Sequence, residues 1–344
     1  MIDALCKEME LQKNFLSDKI NTIYFGGGTP SLLNEQELSQ IFRTLRNNFN
    51  ISEVQEITLE ANPDDLSREH LQVLKKIGIN RLSIGIQSFH EEDLQYMNRA
   101  HNSRQGEDCV KLAQEAGINN ISIDLIYGFP LLNNEKWASN LQKALSLGVQ
   151  HISSYSMTVE QGTALSKLIE KGKLPGVSDE QSAQHFQMLC NTLFQKDFEQ
   201  YEISNFCLSG FEAKHNSSYW LQKKYLGLGP GAHSYNGKQR FWNISNNMKY
   251  ILSLELNQLA SEVEEIDEKT AYNEYVLTRL RTKWGVEEQT IQNFSKEIQD
   301  TFYSAVRPYL QNNKVIFNKG IYTLTEEGKL MADGIASDLF VVKE

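Results

Sequence analysis

Cysteine is scarce in this chain, and the few present are badly spaced for cooperative chemistry. Cys6, Cys109, Cys190 and Cys207 are the four in 344 residues, separated by 103, 81 and 17 positions. No pair has CxxC or CxxxC spacing, so neither a zinc nor an iron–sulfur site is readable, and reduced, mostly buried thiols are expected. Also lacking are an N-terminal signal pattern and any apolar run near the roughly 18 residues a membrane span requires. A cytoplasmic protein is therefore expected. An excess of basic charge is missing too: the formal net charge is −10. Phosphate backbones need a basic footprint, so nucleic acid is not the expected partner, and the acidity reads as solubility.

What remains is ordinary globular material, 40% hydrophobic and 23% charged. The length allows one large domain with an appendage, or two domains. The most telling stretch is Thr22-Ile23-Tyr24-Phe25-Gly26-Gly27-Gly28-Thr29-Pro30. A short apolar run with aromatic and β-branched residues reads as a buried strand. Its glycines let the backbone take φ > 0 and approach a ligand closely. Asn34 and Glu37 then have capping-box spacing for a helix. The same residues also suit a plain tight turn between strand and helix.

Around this stretch a rhythm repeats. Ile2 to Phe15 reads as an amphipathic helix, Ile20–Phe25 as a strand, Glu56–Leu59 as the next, and Ser67 as a helix cap. A pattern of glycine, apolar residue, two polar residues and strand recurs at Gly78, Gly117 and Gly148, which lie 39 and 31 residues apart. Each glycine stands where a helix ends in a left-handed residue. Strands near 22–25, 57–60, 82–87, 121–126 and 151–157 alternate with helices, which predicts a parallel sheet covered by helices. A partial (β/α)6-type TIM-like barrel lacking its first strand is favoured over an open doubly wound sheet. Ligand sites in such folds lie at the carboxyl ends of the strands. The polar residues there are Gly26 to Thr29, Glu60, Gln87, Asp124, Tyr127, Tyr155 and Ser156. Asp124 interrupts an apolar run, and a carboxylate there needs a partner. A structural capping role is the alternative for Glu60, Gln87 and Asp124, and Arg99 alone also reads as an exposed helix residue.

The rhythm breaks after Val159. Tyr201–Phe206 is expected as a sixth strand. His215-Asn216-Ser217-Ser218-Tyr219-Trp220 and Gly227-Leu228-Gly229-Pro230-Gly231-Ala232-His233 follow, the second without helical period and therefore a loop held close to something. His215 and His233 stand out, although an unplaced histidine is ordinarily a hydrogen-bonded core or surface residue. Helices at Thr270–Arg281, Glu287–Ser295 and Ile298–Gln311 precede a hairpin, Lys314–Asn318 and Ile321–Leu324, and Thr325 caps a closing helix. That is a winged-helix-like α+β module, which brings a nucleic-acid binder to mind as a remote alternative. Residues 265–344 hold 10 Lys+Arg against 13 Asp+Glu, so a structural or lid role is preferred. The expected division is a barrel over 1–205, a linker segment over 206–264, and the C-terminal module over 265–344.

Taken together, Gly26–Pro30, Glu60-Ala61-Asn62-Pro63, Gly85-Ile86-Gln87-Ser88-Phe89, Asn98-Arg99-Ala100-His101 and Asp124–Pro130 resemble the radical S-adenosylmethionine (SAM) family, in its oxygen-independent coproporphyrinogen III oxidase group. His215–Trp220 and Gly229–Ser234 resemble the heme chaperone (HemW) branch. The resemblance covers nearly the whole chain. It implies that Gly27, Gly28 and Thr29 hold the methionine end of SAM, Glu60 the ribose, and Arg99 the SAM carboxylate, with Gln87 and Asp124 completing the site. It implies His215 as a heme-iron ligand, with Tyr219 and Trp220 beside the porphyrin, and delivery of heme to an acceptor such as a respiratory hemoprotein. Porphyrin-forming oxidative decarboxylation is the alternative within the same group. The family also uses a CxxxCxxC motif to bind a [4Fe–4S] cluster. That motif is absent from residues 1–344, so this polypeptide is not expected to bind the cluster or cleave SAM reductively. An N-terminally incomplete form is expected rather than a cluster-less relative, because a lost first strand would leave Ile20–Phe25 with an uncovered edge.

Overall fold

A computed structural model of the chain describes residues 1–342. It divides into two compact units: one comprises Ile23–Glu35 and Glu56–Glu212, the other Met1–Thr22, Gln36–Gln55 and Ala213–Glu344.

The first unit is built on a seven-stranded sheet. Its strands are β1 (Thr22–Phe25), β2 (Glu56–Ala61), β3 (Arg81–Gln87), β4 (Asn120–Tyr127), β5 (His151–Ser156), β6 (Phe198–Glu202) and β7 (Asn205–Leu208), in the order β1-β2-β3-β4-β5-β7-β6. β2 to β5 pair parallel and in sequence order. A doubly wound sheet reverses its strand order partway along, and none of these four does. The barrel-type winding expected from the sequence is what forms. One detail differs: the expected strand over Tyr201–Phe206 is a hairpin, with β7 antiparallel to both β5 and β6. The break falls at Ile203-Ser204, where Ser204 N and Asn205 Nδ2 both donate to the Glu202 carboxylate and turn the chain.

Alternation assigns the faces of the sheet. Leu59, Leu82, Ile84, Ile86, Ile121, Ile123, Leu125 and Ile152 are fully buried on one side. The other side carries polar residues: Glu60, then Ser83 and Gln87, then Ser122 and Asp124, then His151 and Ser153. The helices Arg68–Ile77, Ser103–Glu115 and Asn134–Ser146 complete the repeating units. Ser67 and Asn102 cap two of them, and Gly78, Gly117 and Gly148 take φ of 116°, 81° and 66° at their ends. A side chain at that φ costs roughly 1–2 kcal/mol, which is why glycine recurs there.

In the second unit the helix Ile2–Leu11 meets the helix Asn247–Glu255 through Ala4, Tyr250 and Leu254. A three-stranded antiparallel sheet follows the order β10-β9-β8: β8 is His233–Tyr235, β9 Gln239–Asn243 and β10 Ser261–Glu265. The glycine stretch before β8 is the fixed loop its composition implied: Gly229 N donates to the buried Glu8 carboxylate at 2.8 Å. The C-terminal module has helices Glu268–Leu280 and Lys296–Gln311 and a three-stranded sheet of β11 (Val286–Glu287), β12 (Val315–Asn318) and β13 (Ile321–Leu324). Its hairpin and the Thr325 cap lie where the sequence puts them. The additional strand β11 is too short to leave a periodic signal. Among the described residues no helix is long and apolar enough to cross a membrane.

Candidate functional site

The rim of the parallel sheet brings together the motifs that the sequence scatters over a hundred residues. After β1, Gly27 and Gly28 adopt φ of 73° and 62°, and nothing lies within 4 Å of where their side chains would be. A left-handed backbone facing open space is a surface a ligand can approach closely. Gly26 is required for a different reason: a Cβ there would stand 2.4 Å from the Tyr24 ring. Glu60, next to last in β2, accepts from Tyr24 Oη at 2.5 Å and from Gly27 N at 3.3 Å. Burial, reinforced by Glu60, pushes the Tyr24 phenol well above its ordinary range, so Tyr24 remains a neutral donor.

Asn62 links the next two motifs. Its Oδ1 accepts from Arg99 Nη2 at 2.9 Å, and the same nitrogen lies 3.4 Å from Gly85 O. Among the described residues no hydrogen bond engages Arg99 Nε or Nη1, or the Gln87 side-chain amide. Gln87 ends β3 at φ 66°, a strained angle for a side-chain-bearing residue and one that re-aims its amide. Gly85 has to be small, since a Cβ would meet Gln87 Nε2 at 2.9 Å and Arg99 Nη2 at 3.3 Å.

Asp124 lies beneath this rim. Its register partners are Ser153 on β5 and, one step before it, Ile84 for Ile123 on β3. Ser83 Oγ approaches it at 3.4 Å. Burial pushes the carboxyl up to about 6; Glu60 adds to the rise, and Ser153, Arg81 and Ser83 oppose it. Arg81 was not foreseen as part of the site, nor were Tyr24, Asn62, Ser83 and Ser153. Period-two alternation in β3 and β5 was the available signal for Arg81, Ser83 and Ser153, which lie on the polar face; Tyr24 is on β1 and Asn62 follows β2, outside that pattern. Tyr155, singled out with the rim, is 44% exposed; Tyr127 is buried on the other face against Trp137.

The histidine segment is in the other unit. The helix Lys214–Trp220 puts His215 and Tyr219 four residues apart on one face. His215 Nδ1 pairs with Thr22 Oγ1 at 2.8 Å and Nε2 with the Tyr219 hydroxyl at 3.0 Å. Burial raises the Tyr219 phenol to about 12. Tyr219 packs edge-on against Tyr225 with ring centres 4.7 Å apart, and Tyr225 reaches Tyr235 at 6.3 Å. One face of Trp220 is covered: the Arg281 guanidinium lies over its ring at 5.7 Å. Its Nε1 is buried without a hydrogen-bond partner.

The donor sets differ in how well they suit cofactors. The rim offers open backbone at two glycines, an unengaged guanidinium edge, an unengaged amide and two carboxylates, which fits an elongated zwitterion carrying ribose hydroxyls. The thiols do not fit a cluster. All four cysteines are buried and none forms a disulfide, and among the described residues no group of three metal-ligating side chains converges.

Comparison with known proteins agrees with this geometry. Residues 7–144 match the Radical SAM superfamily and residues 266–331 the HemN C-terminal domain. The heme chaperone HemW of Bacillus subtilis is 33% identical over 319 residues, which cover 92% of this chain and 84% of that protein. That of Lactococcus lactis is also 33% identical, covering 92% and 83%. That of Mycobacterium tuberculosis is 30% identical, covering 98% and 85%. In fold, coproporphyrinogen III oxidase (HemN) of Escherichia coli, a radical SAM enzyme, superposes with a TM-score of 0.84 at 22% identity, covering 98% of this chain and 82% of that one.

Proposed function

This chain belongs to the heme chaperone HemW family of radical SAM proteins, and from that premise we propose that it binds heme and passes it to an acceptor hemoprotein while holding SAM at the sheet rim. One observation supports the reading: Gly27, Glu60, Arg99 and Gln87 gather at one rim with Asp124, in a chain that also has the His215 helix. We assign the backbone of Gly27, Gly28 and Thr29 to the methionine end of SAM, and the free edge of Arg99 to its carboxylate. Glu60 takes the ribose hydroxyls, and Gln87 and Asp124 complete the shell. SAM, when bound, supplies a sulfonium nucleoside. Glu60 and Asp124 complement its positive charge, and at pH 7 most of the Asp124 population is ionised, since its carboxyl titrates near 6. Four buried, scattered cysteines do not hold a [4Fe–4S] cluster, and no reductive cleavage of SAM is assigned to these residues.

Heme is the cargo rather than a resident group. Neutral imidazole is a good iron ligand, and we assign His215, with Tyr219 and Trp220 beside the porphyrin. His215 reaches iron only when a ring nitrogen is released, and Tyr219 holds Nε2. Loading therefore requires a local rearrangement in which one of the two hydroxyls, that of Tyr219 or of Thr22, lets go. The acceptor is a hemoprotein, with a respiratory one the expected kind.

Titration with hemin tests this. The intact chain is expected to give a saturable Soret shift, and His215→Ala to weaken it. No shift with the intact chain overturns the reading; an unchanged titration in the variant removes His215 as a ligand.

A further inference from the structure

The second histidine singled out in the sequence is in the opposite state to the first. His233 opens β8 with an exposed side chain. No described residue hydrogen-bonds its ring. What it has instead is a stacking partner: Trp242 stands opposite it in register, with ring centres 6.2 Å apart and planes inclined by 30°. Such a contact orients an imidazole while leaving both nitrogens free.

The backbone beneath it is fixed. Ala232 O accepts from Asn243 N at 2.9 Å. Gly227 N donates to Ser234 Oγ at 2.9 Å, and a Cβ on Gly227 would fall 2.0 Å from His233 O. Gly229 is tied to Glu8, which also accepts from Asn243 Nδ2 at 2.6 Å and Tyr250 Oη at 2.5 Å. A free ligand atom on an immobilised loop loses little entropy on binding. His215, by contrast, must first give up a hydrogen bond.

Aromatic contacts run from His215 to the strand that carries His233. From His215 they run through Tyr219 and Tyr225 to Tyr235, two residues from His233 and so on the same face of β8. We propose that His233 is a second heme-iron ligand, the one available without breaking an intramolecular hydrogen bond. This rests on the heme-binding reading above.

Hemin titration of the full chain, His215→Ala, His233→Ala and the double variant decides it. Each single variant should keep a reduced Soret shift and the double variant should lose it, with added imidazole restoring a low-spin spectrum. His233→Gln, which keeps a polar side chain on the strand, should behave like His233→Ala. If His233→Ala titrates like the intact chain, or His215→Ala alone abolishes the shift, His233 is not a ligand while heme binding by the protein stands. No shift in the intact chain removes both.

Discussion

The sheet rim and the histidine segment solve opposite problems. At the rim, half-buried polar groups from neighbouring strands and loops meet, and among the described residues no hydrogen bond engages Arg99 Nε or Nη1 or the Gln87 amide. In the segment around His215 the functional side chain sits on a seven-residue helix, and its ring is occupied at both nitrogens by its own protein. On the function proposed above, the rim is preorganised for SAM and the histidine helix is closed against heme. A carrier that must release heme gains from such competition, because an internal hydrogen bond replaces the iron bond as heme departs. A binding site for a retained cofactor has no use for it.

Four substitutions sharpen or break that contrast, the largest effect first. Glu8→Ala removes the acceptor shared by Gly229 N, Asn243 Nδ2 and Tyr250 Oη. It should cost about 3 kcal/mol in denaturant unfolding and loosen the His233 loop; a loss below about 0.5 kcal/mol would mean the loop is held by other contacts. Arg99→Ala should weaken SAM binding about 30-fold by calorimetry, roughly 2 kcal/mol, with hemin titration unaffected. If both ligands weaken together, the rim and the histidine segment do not bind independently.

Asp124→Asn tests the rim through pH. The Asp124 carboxyl titrates near 6 against an ordinary 3.8, so the folded chain holds this proton more tightly than the unfolded one. The stability this contributes is complete below the ordinary value and is lost as pH rises through about 6. The variant should therefore melt higher than the parent at pH 8, by on the order of 1 kcal/mol after allowance for solvent access, and converge with it near pH 4. A variant that is less stable at pH 8 would show that Ser83, Ser153 and Arg81 outweigh burial. Tyr219→Phe, the smallest, removes the hydroxyl that pairs with His215 Nε2 and should tighten hemin about fivefold, near 1 kcal/mol. Weaker binding would make the Tyr219 hydroxyl a contributor to the heme site and not its competitor.

Much of this was legible beforehand because it is local. The helix-ending glycines, the Ser67 and Thr325 caps and the C-terminal hairpin follow from backbone propensities that act within a few residues. The rim residues were legible as motif positions at strand ends. Tyr24 and Asn62 were not, since a tyrosine in an apolar run or an asparagine after a strand has many ordinary explanations. The β6–β7 hairpin escaped because its turn, Ile203-Ser204, carries neither glycine nor proline; the Glu202 carboxylate shapes it instead.

The sequence by itself determined the alternation of helices with the parallel strands and the polar face of the sheet, because periodicity and spacing are properties of the chain. Only the tertiary structure decided which ring nitrogens are engaged and which are free. Those depend on contacts such as Thr22 with His215, 193 positions apart, and on Glu8 reaching Gly229 across 221. Hydrogen-bond competition between such distant groups leaves no mark in local pattern, and it is what sets the locked histidine apart from the available one.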